Sequence, residues 1–228
     1  MLLLAAGRGS RFGGPVPKAF LALQGRPLLL HAAERLARVA DLRAGSHLVV
    51  VVHPDDRDQH LQPLVPALRA LGDVRFADGG DSRQQSMARG LAAADPEVAL
   101  VLVHDAARPL LPVAATRECI AAAARTGAAL LAVPAVDTCK RVRDGFVEAT
   151  VDRTGLWQAQ TPQVLRRELL ERSLAHAIAT GFHGTDDASL AEHLGAPVAV
   201  VMGSVGNLKI TRQEDLPLAA SLLAAGLT

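Results

Sequence analysis

The stretch Leu48-Val49-Val50-Val51-Val52 contains five consecutive apolar residues, four of them β-branched. A short run that is continuous rather than alternating in polarity is typical of a strand buried on both faces. Four more runs of this type occur along the chain, at residues 2–5, 98–103, 128–133 and 197–202. The sequence therefore predicts a central β-sheet that is covered on both sides.

Alanine- and leucine-rich stretches with helical spacing separate these runs, near residues 27–40, 55–71, 82–94 and 112–126. Strands that alternate with helices pair in parallel through right-handed crossovers. We therefore expect an α/β fold, a three-layer sandwich with a mostly parallel, Rossmann-like sheet. Later helices are predicted at 165–180, after Thr185-Asp186-Asp187, and at 213–224.

The alternation of strands and helices breaks at Pro134. Within residues 142–147, Asp144-Gly145 stands between apolar residues, which predicts a β-hairpin. A hairpin inserted at 135–160 has too little core to be stable alone. We therefore expect residues 1–228 to form a single domain in which 135–160 is a β-arm that packs on a second copy of the chain.

The composition excludes several classes of function. The 24 Lys and Arg residues nearly balance the 23 Asp and Glu residues, and the formal net charge of +1 argues against a nucleic-acid or basic membrane-surface binder. No apolar run approaches the ~18 residues of a membrane span. The two cysteines, Cys119 and Cys139, suit a reducing compartment. We expect a cytoplasmic protein with no nucleic-acid or membrane partner.

A glycine-rich loop follows the first apolar run and includes Gly7, Gly9 and Gly13. Such loops offer backbone N–H groups to phosphates. The spacing fits neither G-x-G-x-x-G, because three residues separate Gly9 from Gly13, nor a Walker loop. The cations around the loop, which are the charge complement of a triphosphate, are Arg8, Arg11 and Lys18. The alternative is a solvated turn with ordinary surface cations.

Polar residues also cluster where other strands are expected to end. His104-Asp105-Ala106-Ala107-Arg108-Pro109 follows the run at 98–103, and ligands of open α/β sheets bind outside the carboxyl ends of strands. Asp105 could hold a metal or a substrate hydroxyl there, or simply cap the next helix. Residues 79–86 end another strand and open a helix, which offers N–H donors to an anion or a base edge. The alternative there is an ordinary N-cap by Asp81 or Ser82.

Other enzyme chemistries lack their residues. The eight His residues form no metal-binding pair with a nearby Glu or Cys, so a protein-built zinc site is not expected. No G-x-S-x-G motif is present and neither Cys is beside a His, so acyl transfer has no nucleophile.

Eight motifs, in order along nearly the whole chain, resemble the 2-C-methyl-D-erythritol 4-phosphate cytidylyltransferase family. They are Ala5-Ala6-Gly7-Arg8-Gly9-Ser10-Arg11 with Pro17-Lys18, Gly79-Gly80-Asp81, His104-Asp105-Ala106-Ala107-Arg108-Pro109, Asp137-Thr138, Thr150-Val151-Asp152-Arg153, Thr161-Pro162-Gln163, Thr185-Asp186 and Asn207-Leu208-Lys209. The resemblance implies an enzyme of the non-mevalonate isoprenoid pathway. It would transfer CMP from CTP to the phosphorylated polyol, giving 4-diphosphocytidyl-2-C-methyl-D-erythritol and pyrophosphate, with Mg²⁺ bound mainly through the CTP phosphates and no protein ligand assigned to it.

The resemblance also implies residue roles. The catalytic cations would be Arg11, Lys18, Arg153 and Lys209. The nucleotide would contact Ala5, Ala6, Gly7, Arg8, Gly9, Ser10, Gly79, Asp81, Arg83, Ser86, Asp105 and Ala106. The polyol phosphate would contact Asp105, Arg108, Thr138, Arg153, Thr161 and Lys209. Arg153 would reach across a homodimer interface, so that the two active sites are shared.

The reaction itself explains why the motifs contain no obvious general base. A phosphate monoester has a second pKa near ~6, so it is largely dianionic at pH 7 and can attack phosphorus unaided. What remains to be supplied is positioning and charge neutralisation.

Three alternatives stay open. One is a cytidylyltransferase for another polyol phosphate, such as ribitol 5-phosphate. A second is a dinucleotide-dependent oxidoreductase, disfavoured by the glycine spacing and by His53-Pro54 where an acidic residue would follow the second strand. A third is a non-catalytic nucleotide sensor, which could dispense with Lys18 and Lys209.

Overall fold

A computed structural model describes residues 1–7 and 16–226. Its strands are β1 (Leu2–Leu4), β2 (Ala22–Leu23), β3 (Arg26–Pro27), β4 (Leu48–Val52), β5 (Val74–Asp78), β6 (Leu100–Asp105), β7 (Ala128–Pro134), β8 (Cys139–Arg143), β9 (Phe146–Val151), β10 (Trp157–Arg166) and β11 (Ala199–Met202). Its α-helices are α1 (Leu28–Val39), α2 (Val65–Arg69), α3 (Arg83–Ala93), α4 (Val113–Thr126), α5 (Arg167–Thr180), α6 (Asp187–His193) and α7 (Asp215–Ala224).

Seven of these strands form one sheet in the order β11-β7-β10-β6-β1-β4-β5. All neighbours pair in parallel except β10, which is antiparallel to both β6 and β7. The predicted mostly parallel sheet is therefore confirmed. Since β1 lies between β4 and β6, its carboxyl end is next to the carboxyl ends of both neighbours.

Helices cover the two faces of the sheet, as the predicted three-layer sandwich requires. Side chains of β1 and β4 alternate between the faces: Leu3 and Val50 pack with α1 and α4, whereas Leu2 and Val49 pack with α3, α5 and α6. The run Leu48–Val52 is completely buried. Each such Val or Leu side chain stabilises the fold by about 1.5–3 kcal/mol. None of the described helices is long and apolar enough to cross a bilayer.

The prediction of a helix over 55–71 was largely wrong. Residues 54–64 form three short turns of 3-10 and π type, and a regular α-helix exists only at Val65–Arg69. The segment contains Pro54, Pro63 and Pro66. Proline lacks an N–H and its ring clashes with the carbonyl four residues earlier, so the apolar spacing of this segment is not matched by a continuous helix.

The sequence did not predict strand β10 (Trp157–Arg166). Its first residues, 157–160, were assigned to the inserted arm, yet Gln158 and Ala159 pair with Val133 and Ala132 of the central sheet. The segment includes a proline and several polar residues, which normally argue against a central strand. Here Pro162 lies between the two paired stretches of β10, where the register with β7 shifts.

The predicted hairpin is confirmed as β8 and β9. Asp144 and Gly145 have φ values of 51° and 84°, the left-handed region that a two-residue hairpin turn of type I′ requires. The hairpin forms its own two-stranded sheet, separate from the seven-stranded one. We call residues 135–156 the arm. Much of its apolar surface is exposed, with Phe146 at 80% and Val136 at 72%.

Candidate active site

A cavity of about 450 Å³ opens at the carboxyl ends of β1 and β6 and the start of α3. Its lining includes Ala5, Ala6 and Gly7 after β1, Lys18, the turn at 80–83, Ser86, Asp105 and Lys209. This is the crevice in which open α/β sheets bind ligands, and the volume is within the roughly 300–1,000 Å³ of small-molecule sites. We call it the first cavity.

A second cavity of about 200 Å³ adjoins it. Its polar lining includes Arg108, Thr161, Gln163 and Asp186. The two cavities share three lining residues, namely Arg83, Asp105 and Lys209. A ligand in one cavity would therefore contact the same charged side chains as a ligand in the other.

These shared side chains form an ion-pair network. Lys209 Nζ is 2.6 Å from Asp105 Oδ2, and Arg83 Nε is 3.2 Å from Asp105 Oδ1. Arg83 also donates two hydrogen bonds to the carboxylate of Asp187, at 2.9 and 2.8 Å. Arg83 is thus held between two carboxylates, one at the cavity floor and one buried behind it.

The network shifts the pKa values of its members. Burial alone would raise the pKa of Asp105, but the charges of Arg83 and Lys209 outweigh it and hold that pKa well below its usual range. Burial would lower the pKa of Arg83, but Asp187 and Asp105 outweigh it and raise that pKa. Burial raises the pKa of Asp187, and the charge of Arg83 opposes the rise. Arg83 and Asp105 are therefore charged at neutral pH.

The turn before α3 is shaped by glycine and serine. A Cβ on Gly79 would lie 2.2 Å from the Cβ of Ala6, so only glycine lets this turn approach the loop after β1. Arg89 donates to the Gly79 carbonyl at 2.7 Å, and Ser86 Oγ accepts from the Gly80 N–H at 3.1 Å. Ser82 caps the helix by accepting from the Gln85 N–H at 3.1 Å. The alternative role of an N-cap is therefore filled by Ser82 and not by Asp81, and both residues also line the first cavity.

The second cavity is built on contacts between β6 and β10. The N–H of Asp105 donates to Thr161 Oγ1 at 3.1 Å, and Arg108 donates to the Asn207 carbonyl at 2.6 Å. The Nε atom of Arg108 is buried without a partner among the described residues. The peptide bond between Thr161 and Pro162 is cis. Arg108 and Thr161 therefore flank the cavity from the turn after β6 and from β10.

The structure brings most of the predicted site residues together. Ala5, Ala6, Gly7, Lys18, Asp81, Arg83, Ser86, Asp105, Arg108, Thr161 and Lys209 line one cavity or both. Gly79 and Ala106 lie behind the lining, where the Ala106 N–H donates to the Leu4 carbonyl at 3.0 Å. The predicted helix-capping alternative for Asp105 does not apply, because α4 begins after Pro112. Arg8, Gly9, Ser10 and Arg11 lie outside the described residues.

Thr138 and Arg153 are not among the residues that line the cavities of their own described chain. Both are exposed on the arm, and Arg153 donates a hydrogen bond to the carbonyl of Val136. The geometry of one chain therefore does not assign either residue to a site.

Sequence reasoning missed two buried residues behind the lining. Asp187 was seen only as part of a helix start, a role that belongs to Asp186, which accepts from the Ser189 N–H at 2.9 Å. Asp187 instead pairs with Arg83, 104 positions earlier. His104 begins the motif at 104–109, but the sequence suggested no role for it. In the structure its side chain is completely buried. For His104, the available signal was a polar residue at the end of an apolar strand.

Within residues 1–7 and 16–226, no group of three or more His, Cys, Asp or Glu side chains is placed to hold a metal ion. Both carboxylate oxygens of Asp105 are already paired with cations. The described residues thus offer single carboxylates rather than a complete ligand set, and they fit a divalent cation only if other ligands complete its coordination.

A mostly parallel α/β sandwich with a cation-lined cavity at the carboxyl edge of its sheet is typical of proteins that bind phosphorylated ligands. The family of this chain follows from comparison with known proteins. The IspD family model, 2-C-methyl-D-erythritol 4-phosphate cytidylyltransferase, matches residues 1–225, and the chain belongs to this family. The resemblance inferred from the motifs is therefore confirmed.

Individual relatives support the family over nearly the whole chain. The 2-C-methyl-D-erythritol 4-phosphate cytidylyltransferase of Chromobacterium violaceum is 46% identical over 229 residues, covering 98% of this chain and 97% of the relative. That of Acidobacterium capsulatum is 44% identical over 233 residues, covering 98% and 96%. The crystal structure of the Thermus thermophilus enzyme of the same name has a TM-score of 0.81 at 33% identity, covering 98% of each chain.

Proposed function

We propose that this chain transfers the cytidylyl group of CTP to 2-C-methyl-D-erythritol 4-phosphate in the non-mevalonate isoprenoid pathway. Family membership and the names of its full-length relatives support this activity. The observation that carries the proposal is the pair of adjoining cavities that share Arg83, Asp105 and Lys209. A transfer between two phosphorylated substrates needs two such sites in contact.

In this proposal CTP occupies the first cavity. The loop from Ala5 to Ser10 binds its phosphates with backbone N–H groups, a role supported by the lining positions of Ala5, Ala6 and Gly7. The contacts to the base and ribose come from the strand-end and helix-start residues Gly79, Asp81, Arg83, Ser86, Asp105 and Ala106. The position of Asp81 and Ser86 at the start of α3 supports hydrogen bonding to a polar base edge.

The polyol phosphate occupies the second cavity, against Asp105, Arg108, Thr161 and Lys209. An oxygen of its phosphate forms a bond to the α-phosphorus of CTP, and the bond from that phosphorus to the bridging oxygen breaks. Pyrophosphate leaves with the electron pair. No protein base is required, because the attacking phosphate is already dianionic at pH 7. Lys18 and Arg11 stabilise the negative charge that develops during the transfer.

We further propose that Mg²⁺ is the divalent cation of this reaction and that the CTP phosphates supply most of its ligands. Among the described residues no group of carboxylates is placed to hold the cation, and the carboxylate of Asp105 is already paired, which supports ligands from the nucleotide. The cation would add positive charge to the phosphates of the nucleotide.

The arm supports a further part of the proposal, a homodimer with shared sites. Its exposed apolar residues are Val136, Val142, Phe146, Val147 and Leu156. Exposed apolar side chains that are grouped on one segment commonly mark a surface that contacts a partner. We propose that a second copy covers it, and that Thr138 and Arg153 of each arm contact the polyol phosphate bound to the other chain.

Pyrophosphate release tests the activity. The purified protein with Mg²⁺ is assayed with each nucleoside triphosphate in combination with each of several polyol phosphates. We expect release only with CTP and 2-C-methyl-D-erythritol 4-phosphate, and loss of release with EDTA. Release with ribitol 5-phosphate instead would favour the other cytidylyltransferase, whereas binding of CTP without release would favour the nucleotide sensor. Turnover that persists in EDTA would contradict the role of the cation.

A further inference from the structure

His104 is the penultimate residue of β6 and has no exposed surface. It is not among the residues that line either cavity, but both of its ring nitrogens contact residues or turns that do. His104 Nε2 is 3.0 Å from the carbonyl oxygen of Arg108. His104 Nδ1 is 3.1 Å from Thr161 Oγ1. The ring therefore joins the turn after β6 to strand β10 beneath the second cavity.

The hydrogen-bonding partners determine which nitrogen carries the proton. A carbonyl oxygen can only accept, so the proton of the neutral ring is on Nε2 and is donated to Arg108. Burial lowers the pKa of His104 to about 4, so the ring is neutral at pH 7. Nδ1 is then an acceptor, and the Thr161 hydroxyl donates to it.

The same hydroxyl accepts the N–H of Asp105 at 3.1 Å. The hydrogen bonds thus run in one direction, from the Asp105 backbone through Thr161 and His104 to the Arg108 carbonyl. Every donor and acceptor in this series has a partner. Three of its members, Asp105, Thr161 and Arg108, line the second cavity. A network that is fully satisfied in a buried site holds its members in one arrangement.

We propose that His104 is a positioning residue of the acceptor site, which in its neutral Nε2–H form holds Thr161 and the Arg108 turn in the arrangement that receives the polyol phosphate. The inference rests on the proposed function, in which the second cavity is the acceptor site. His104 lines neither cavity and acts through Thr161 and Arg108, which the proposed function places against the acceptor, so its effect is expected on acceptor binding. Arg108 and Thr161, the two residues that the ring contacts directly, line only the second cavity. Asp105 lines both cavities, but it enters the network through its backbone N–H and not through its carboxylate.

Steady-state kinetics of three variants test this role. His104→Gln keeps an N–H that can reach the Arg108 carbonyl, His104→Asn keeps an acceptor near the position of Nδ1, and His104→Leu keeps neither. We expect about a tenfold rise in KM for the polyol phosphate in His104→Leu, smaller rises in the other two, and an unchanged KM for CTP. Equal rises in both KM values, or no rise in a folded His104→Leu, would overturn the proposal.

A matched control is available at another buried histidine, just before β4. His47 is also buried, and its Nε2 accepts the N–H of Asp95 at 3.2 Å. His47→Asn removes a similar contact at a residue that lines neither cavity, so it reports the kinetic effect of disturbing a buried histidine in general. We expect it to leave both KM values unchanged. A rise in acceptor KM equal to that of His104→Asn would overturn the specific role of His104.

Nitrogen-15 NMR of the histidine rings tests the inference without any activity. In the unliganded protein, the signals that disappear in His104→Gln should be those of an Nε2–H tautomer and should not move between pH 5.5 and 8. A ring protonated on Nδ1, or one that titrates near 6.5, would overturn the proposal even if the enzyme is active.

A wild-type protein with no activity on the polyol phosphate would overturn the proposed function, while the spectrum would still decide the state of His104. If His104→Leu fails to fold, the other two variants and the spectrum still decide.

Discussion

The cavities and the arm both contain ion pairs, but in different surroundings. Arg83 and Asp187 are paired at 2.8 Å with side chains 28% and 1% exposed, whereas Arg143 and Glu148 of the arm are paired at 3.1 Å with side chains 74% and 38% exposed. A buried carboxylate must be paired to remain charged, whereas water satisfies an exposed one. The cavity pair is therefore enclosed by its own chain, whereas the arm pair lies in solvent.

The difference extends to the apolar side chains. Strands β1 and β4, which lie behind the cavities, are fully buried, while the arm exposes Phe146 and Val147 at 80% and 62%. One chain thus completes the floor of the site but leaves the arm uncovered. If the described walls of the cavities are stabilised by their own chain and the arm by a second one, then substitutions in the two regions should have different consequences.

The largest expected effect is the loss of a cation from the first cavity. Replacing Lys18 by Ala should lower kcat by about 10² to 10³, as does deleting one oxyanion donor, because a charge aimed at the developing negative charge is lost. Arg11→Ala should have a similar effect. Stopped assays at saturating CTP and acceptor measure it. The control is Arg43→Ala, an exposed cation in the loop between α1 and β4.

Circular dichroism should show intact secondary structure in all three variants. A Lys18→Ala enzyme with wild-type kcat and a raised KM would show that Lys18 binds substrate and transition state equally. The first cavity would then be a binding surface without a part in the transfer step.

The next effect concerns stability and compares the two ion pairs directly. Asp187→Asn leaves the half-buried Arg83 with Asp105 as its only ion partner among the described residues. The free energy of unfolding should therefore fall by about 3 kcal/mol, the upper end for the loss of hydrogen bonds to a charged group. Glu148→Gln in the arm should cost about 0–1 kcal/mol. Urea denaturation of each variant against wild type measures both. Similar losses would mean that burial does not distinguish the two regions.

These two regions also differ in how well the sequence predicts them. The arm hairpin is predicted correctly, because Asp144-Gly145 encodes its turn locally. The strand-end residues Asp105 and Arg108 are also predicted, because parallel strands end at the same edge of a sheet. The Arg83–Asp187 pair is not, because 104 positions separate its members and no local pattern records such a contact.

The errors in the fold have the same physical origin. Strand β10 has a proline and several amides that local propensity assigns to loops, and only its pairing with β6 and β7 makes it central. Residues 54–64 have helical apolar spacing, but their prolines remove the hydrogen bonds that a helix needs. Periodicity therefore predicts which residues are buried better than it predicts how polar or proline-rich segments are placed.

Acid should destabilise the cavity side through His104, whereas the arm contains no histidine. Because burial holds the pKa of His104 at about 4, the unfolded chain binds a proton between pH 6.5 and 4 that the folded chain does not. Stability therefore falls as the pH falls through this range. Between pH 7 and 5 the wild type should lose about 2 kcal/mol that His104→Gln does not lose. Urea midpoints at both pH values measure this difference, and parallel losses in the two proteins would contradict it.

The smallest expected difference from wild-type activity is fourfold, in an experiment that tests whether the arm serves the partner's cavity. Lys18→Ala and Arg153→Ala chains should each be nearly inactive alone. If Arg153 completes the site of the other chain, a mixed dimer has one intact site and one site with both substitutions. Random pairing after joint unfolding and refolding gives roughly half mixed dimers, so about a quarter of wild-type activity should return.

Wild-type protein taken through the same refolding sets the scale, and tagged chains demonstrate mixed dimers by affinity capture. Mixed dimers without recovered activity would mean that Arg153 acts in its own chain or in no site, and the arm would then be an interface without a part in the chemistry.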